Sequence, residues 1–317
     1  MRALWIALCL GAVLAAPAHA ARPGPNGPIA YVSSRAGPPI PSVVDPGRDG
    51  KPRAIGQMGE VAPAWSTDGA AIAVSSGIFV PGGPAISAIV VMRADGTQRS
   101  QLTQGRTVDY DPAWSPDGEK IAYSSAAGGH RGIWVVPATG GVPKQLTAGP
   151  DDDTPAWSPD GTRIAYTRTK GIDGRIYVAG ADGSNPHAVR EEPGDDEDPE
   201  WSPDGAHLAY TRYDVNSSTA DVWVMGADGS KPHRLAQSKY NETQPAWSPD
   251  GTRIAFTSNR HGHDGIWVIP ATGGHPRDIT PNAVNEDSPA WGPRTAVGNL
   301  AAVPGLHPAP PLRGPAL

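Results

Sequence analysis

The 317 residues carry a formal net charge of −6 with 18% charged and 38% hydrophobic residues, so the chain can bury a large core and lacks the basic excess of a nucleic-acid binder. Glycine (39) and proline (36) approach the level of a disordered chain, but they recur periodically, which points to turns. The single cysteine, Cys9, leaves no pair for a disulfide and no basis for a thiolate metal site.

The first elements in chain order are those of an export signal. Arg2 precedes an apolar run from Leu4 to Ala16, and Ala18-His19-Ala20 supplies small residues around a cut after Ala20. The run is too short to span a bilayer, and bulky Leu8 before Cys9 argues against a lipoprotein box. Residues 1–20 are therefore expected to be a signal peptide. No later stretch approaches the ~20 apolar residues of a transmembrane helix, so an exported monomer is expected, periplasmic where the host has an outer membrane and secreted otherwise.

From there one motif is written six times: Pro63-Ala64-Trp65-Ser66, Pro112-Ala113-Trp114-Ser115, Pro155-Ala156-Trp157-Ser158, Pro199-Glu200-Trp201-Ser202, Pro245-Ala246-Trp247-Ser248 and Pro289-Ala290-Trp291-Gly292. Spacings of 49, 43, 44, 46 and 44 residues between the tryptophans suit four short strands and their turns, as in a propeller blade. In one copy, strand A is expected at Pro112–Ser115, B at Ile121–Ser124, C at Ile133–Val136 and D at Lys144–Thr147. Asp-Gly and Gly-Gly pairs mark the turns between them. The Ser-Pro-Asp-Gly repeats read as turns, not as nucleophiles.

The ends predict closure. The first B strand, Ile29-Ala30-Tyr31, has no A strand before it, and the last A strand, around Trp291, has no B strand after it. Pairing them would hide two exposed edges. The expected fold is all-β: a six-bladed β-propeller over residues 21–294, with four-stranded blades, one of them closed by one C-terminal and three N-terminal strands. Residues 295–317, with Pro308-Ala309-Pro310-Pro311, are expected to be a disordered tail.

The A-to-B and C-to-D spacings are constant, whereas B-to-C and D-to-A vary, so all variation falls on one face of the disc. Variable loops over a fixed scaffold are where binding usually resides. The longest BC loop, Gly77 to Ala88 with Phe79, is distinctive there. On the same face, three residues before each strand A proline, stand Glu60, Asp109, Asp152, Asp196, Glu242 and Glu286. With strand A innermost, these acids would ring the mouth of the channel, thickened by Asp111, Asp151, Asp153, Asp195, Glu197, Asp198 and Asp287. Such a ring favours a cation, calcium among them, or the basic part of a peptide. The alternative is structural, the acids capping turns or pairing with Arg35, Arg168, Arg212 and Arg260 at the ends of B strands. His261-Gly262-His263-Asp264 is read as a solvated loop. Trp134, Tyr177, Trp223 and Trp267, which share a position in strand C, are read with the A-strand tryptophans as core between blades.

The unit acid-x-x-Pro-x-Trp-Ser-Pro-Asp-Gly-x-x-Ile-Ala-Tyr, followed by Ile-Trp-Val and a glycine turn before Leu-Thr, resembles the repeats of the TolB-type, WD-like propellers. The resemblance implies a six-bladed propeller with strand A innermost. In the family's periplasmic namesake the propeller docks a peptidoglycan-associated lipoprotein with the face around the channel mouth. That namesake carries an α/β domain before its propeller, whereas strand B begins here at Ile29, so the resemblance implies a TolB-like interaction module. The expected function is a non-catalytic scaffold binding an envelope or extracellular protein or peptide. The alternative is a propeller lyase or hydrolase with a metal in the channel.

Overall fold

In the computed structural model of the chain, residues 25–35, 37–47, 51–78, 86–190, 194–214, 219–236, 238–281 and 284–294 are described. The expected signal peptide, the C-terminal tail and most of the Phe79 loop lie outside them. Six four-stranded antiparallel sheets form, each in the order A-B-C-D. Blade 1 combines Glu286–Pro293 as strand A with Asn26–Ser33, Ile40–Val44 and Arg53–Ala54. Blades 2 to 6 are continuous in sequence, with A strands Glu60–Trp65, Asp109–Trp114, Asp152–Trp157, Asp195–Trp201 and Glu242–Trp247. Each A strand contacts the A strands of both neighbouring blades, so the six A strands close a ring around the axis.

Closure is as the unpaired ends require. Ile29 stands opposite Trp291, and Ser33 opposite Glu286. The Trp291 indole N–H donates to the Gly27 carbonyl at 3.1 Å, and Arg294 N donates to Pro25 O at 2.8 Å. Asn26 also reaches the Asp250 carboxylate of blade 6 at 2.8 Å, tying the closing blade to its neighbour.

Strand B is the buried centre of every blade, because the Ile-Ala-Tyr pattern packs against neighbouring blades on both faces. Ile29, Ala30 and Tyr31 are fully buried, as are Ile164, Ala165 and Tyr166. Side chains of adjacent blades form common clusters, for example Ala73, Ile89 and Val91 of blade 2 with Trp114, Ile121 and Tyr123 of blade 3. The Ser-Pro-Asp-Gly segments are turns, as read. Ser115 Oγ donates to Asp117 Oδ1 at 2.5 Å and accepts the Lys120 amide at 2.9 Å, while Gly118 takes φ of 73°.

Two strand boundaries differ from expectation. Strand A reaches back from the proline to the acid, as in Asp109–Trp114, because the residue before each proline is bulged and pairing resumes beyond it. Strand D is two residues long in every blade, as in Lys144–Gln145, since it is the outer edge and has one neighbour.

Candidate binding face and channel mouth

The six acids that precede the prolines begin strand A rather than standing in the DA loop, and they are 0–6% exposed. Their carboxylates turn into the blade. Arg168 binds Asp152 through Nε and Nη2 at 2.6 and 2.9 Å, and Arg212 binds Asp196 at 2.6 and 2.7 Å. Arg35 reaches Glu286 at 2.9 Å, and Arg260 pairs with Glu242. In blade 2 the partner of Glu60 comes instead from beyond strand C, as Arg99. Asp109 accepts from Ser125 Oγ at 2.6 Å and Thr107 Oγ1 at 2.9 Å. Of the two readings of these six acids, their contacts are those of the structural one, pairing with arginines and capping turns within the blade. A carboxylate taken out of water needs charged or hydroxyl donors, and the B-strand arginines supply them. The arginines also stack on the strand C aromatics, Arg168 lying 4.6 Å from the Tyr177 ring centre and Arg212 4.9 Å from that of Trp223.

The channel wall is made two residues later. Ala62, Asp111, Thr154, Asp198, Gln244 and Ser288 each precede a proline and each takes φ between 47° and 55°. Together with the following prolines and Glu200 they surround a cavity of about 140 Å³ on the axis. The left-handed turn produces the strand A bulge and points these amides across the blade boundary: Thr154 N donates to Ser124 Oγ at 3.1 Å, Asp198 N to Thr167 Oγ1 at 3.2 Å and Gln244 N to Thr211 Oγ1 at 3.0 Å. Each of these hydroxyls is on the fifth residue of strand B of the preceding blade, so the wall is stitched blade to blade.

Charge on this wall is not sixfold. Asp111, Asp198 and Glu200 of blades 3 and 5 line the cavity, with Asp153 and Glu197 beside them in strand A of blades 4 and 5. Blade 1 adds a single acid, Asp287, and blades 2 and 6 place Val61, Ala62, Thr243 and Gln244 at corresponding positions. Burial, then the Asp198 and Asp153 charges, pushes Asp111 up to about 7. Burial with the neighbouring acids raises Glu197 to about 7, and burial alone does the same for Glu200. Burial likewise lifts Asp153 to about 6, against the pull of Arg131. Asp198 is raised by burial, although Thr211 Oγ1 donates to it at 3.1 Å. Arg131 is the counter-charge at the rim, at 3.0 Å from Asp153, 3.4 Å from Asp151 and 2.9 Å from the Tyr110 hydroxyl. Crowded carboxylates whose charged forms burial disfavours gain from an incoming cation.

Glu200 was not singled out by sequence reasoning. Its signal was available, because five copies of the motif have alanine between proline and tryptophan and only this one has glutamate. Among the described residues no three histidine, cysteine, aspartate or glutamate side chains converge to hold a metal. His261 lies 3.2 Å from Asp278 and 5.0 Å from the Trp267 ring, on the outer part of blade 6.

The sequence matches the model of the TolB beta propeller domain over residues 24–154 and again over 152–298. TolB from Acinetobacter baumannii shares the fold with a TM-score of 0.70 at 20% identity, over 84% of this chain and 67% of that one. The putative TolB from Agrobacterium tumefaciens aligns with a TM-score of 0.64 at 22% identity, over 80% and 88% of the two chains. An oligogalacturonate lyase in complex with manganese has a TM-score of 0.54 at 14% identity, over 78% and 72%. Likeness at these identities speaks for the fold, which scaffolds and enzymes share. No curated protein matches the sequence at a significant level. With both halves of the ring matched by the family model, the chain belongs to the TolB beta-propeller family.

Proposed function

We propose that this propeller is a non-catalytic scaffold that binds a protein or peptide segment on its BC/DA face, with a basic group of the ligand entering the acidic side of the channel mouth. The observation that carries this reading is the uneven spread of acid around the mouth, with Asp111, Asp153, Glu197, Asp198 and Glu200 concentrated in blades 3 to 5 against Asp287 alone in blade 1. Asymmetry of charge on a symmetric scaffold orients a ligand, which six equal acids could not do. Glu60, Asp152, Asp196, Glu242 and Glu286 serve the face from behind by fixing arginines, and Asp109 does so by holding Ser125 and Thr107. Export follows from the N-terminal sequence and is part of the proposal; cell fractionation checks it. Among the described residues no helix is long and apolar enough to cross a membrane.

The test is fluorescence polarisation with matched lysine-rich, neutral and glutamate-rich peptides, against the native chain and Asp153→Asn/Glu197→Gln. The native chain should prefer the basic peptide, with preference falling as salt rises, and the variant should lose most of it. Equal binding of all three peptides, or no effect of the variant, rejects the reading.

A further inference from the structure

On the opposite face, beside the AB turns, the first residue of strand B of one blade stands next to the strand A tryptophan of the next blade. That residue is Ala71, Lys120, Arg163, His207 or Arg253 in blades 2 to 6. Arg163 of blade 4 lies over the Trp201 ring of blade 5 at 4.4 Å, and Arg253 of blade 6 lies over Trp291 of blade 1 at 5.1 Å. Two of these positions are thus occupied by the chain's own guanidinium groups.

The slot over Trp114 has no such occupant, with Trp114 itself 9% exposed. Ala71 replaces the cation, and Thr67 replaces the proline found in the AB turns of blades 3 to 6. A cavity of about 550 Å³ results, floored by Trp114 and Ala138 and edged by Asp68, Asp117 and Glu119. The equivalent space over Trp247, where His207 and Pro203 are present, is about 400 Å³. One oxygen of each aspartate is held by its own turn, Asp68 Oδ1 by Ser66 Oγ and Asp117 Oδ1 by Ser115 Oγ. The second oxygens carry no bond of the turn. All three acids are exposed, and no basic side chain lines the cavity.

We propose that this slot receives the arginine side chain of a partner protein, its guanidinium stacking on Trp114 and bonding the carboxylates at the rim. Arginine is assigned because the same slot elsewhere in the ring accepts it, and because a planar fork of donors suits both an aromatic floor and a carboxylate edge. The slot lies on the AB/CD face, so a partner held there leaves the channel mouth of the other face accessible.

The test uses the full mature chain labelled with ¹⁵N-tryptophan, the Trp114 indole signal being assigned with Trp114→Phe, and acetyl-arginine-amide as probe. The Trp114 signal should shift saturably with the arginine probe and not with acetyl-citrulline-amide, its neutral isostere. Ala71→Arg should weaken the response at least tenfold and raise Tm, because it fills the slot from within. Asp68→Asn/Glu119→Gln, which alters only exposed charges, should weaken it at least threefold, and this second variant decides the matter if Ala71→Arg does not fold. No Trp114 shift, an equal shift with citrulline, or an unchanged response in the variants overturns the proposal.

Discussion

Asp196 and Arg212 face each other across strands A and B of blade 5, with the guanidinium at 2.6 and 2.7 Å from the two carboxylate oxygens. Asp196 is 6% exposed, so the pair lies inside the blade rather than on its rim. Its loss leaves a nearly buried carboxylate without its guanidinium partner.

Arg212→Ala is therefore expected to destabilise by about 3–5 kcal/mol, the cost of stranding a buried charge. Asp196→Asn/Arg212→Met, which removes both charges, should recover much of that loss. Urea unfolding of the three proteins measures both quantities. A single variant as stable as the native chain would show that the pair contributes no net stability.

The channel acids give a pH dependence of defined sign. Burial and the neighbouring carboxylates raise Asp111 from the ordinary aspartate value of 3.8 to about 7 in the folded chain. Between these values the folded state keeps a proton that the unfolded state has lost, so this group's contribution to stability falls as pH rises from about 4 to about 7 and is constant above. Asp111→Asn should accordingly be more stable than the native chain at pH 7.5 and nearly equal to it at pH 4.5. Urea midpoints at the two pH values check the difference, and a variant equally affected at both would contradict the assignment.

Gly292 replaces the serine of the other five motifs for a steric reason. A methyl group on it would lie 2.6 Å from the Trp65 indole of blade 2, well inside van der Waals contact. Gly292→Ala should cost about 1–3 kcal/mol through overpacking. Thermal melting tests this, with Gly129→Ala an unsuitable control because Gly129 has φ of 89°.

Ending the chain before Glu286 removes strand A of blade 1 and leaves Asn26–Ser33 as an unpaired edge beside the axis. We expect loss of the single cooperative unfolding transition and concentration-dependent association, since an exposed edge of apolar strand templates further pairing. Calorimetry and light scattering report the two effects. A truncated chain that melts as one unit and stays monomeric would mean that closure is not needed for the ring.

The repeat itself determined the ring. Each copy of the Pro-x-Trp-Ser-Pro-Asp-Gly unit encodes a strand, a turn and the next strand locally, and the leftover strands at the two ends, Ile29-Ala30-Tyr31 and the segment around Trp291, have only each other to pair with. The arginines that could answer the acids were visible for the same reason, since they stand near the end of strand B. Which way the carboxylates turn was decided by the tertiary structure alone. The left-handed residue before each proline bulges strand A, places Asp111 and Asp198 on the channel wall, and leaves Asp109 and Asp196 behind it. Period and spacing record where a residue sits along a strand, whereas orientation at a bulge is set by neighbouring blades, whose Ser124, Thr167 and Thr211 hydroxyls hold the turned backbone. The mouth was legible as acidic; which of its acids face the axis required the ring to be closed.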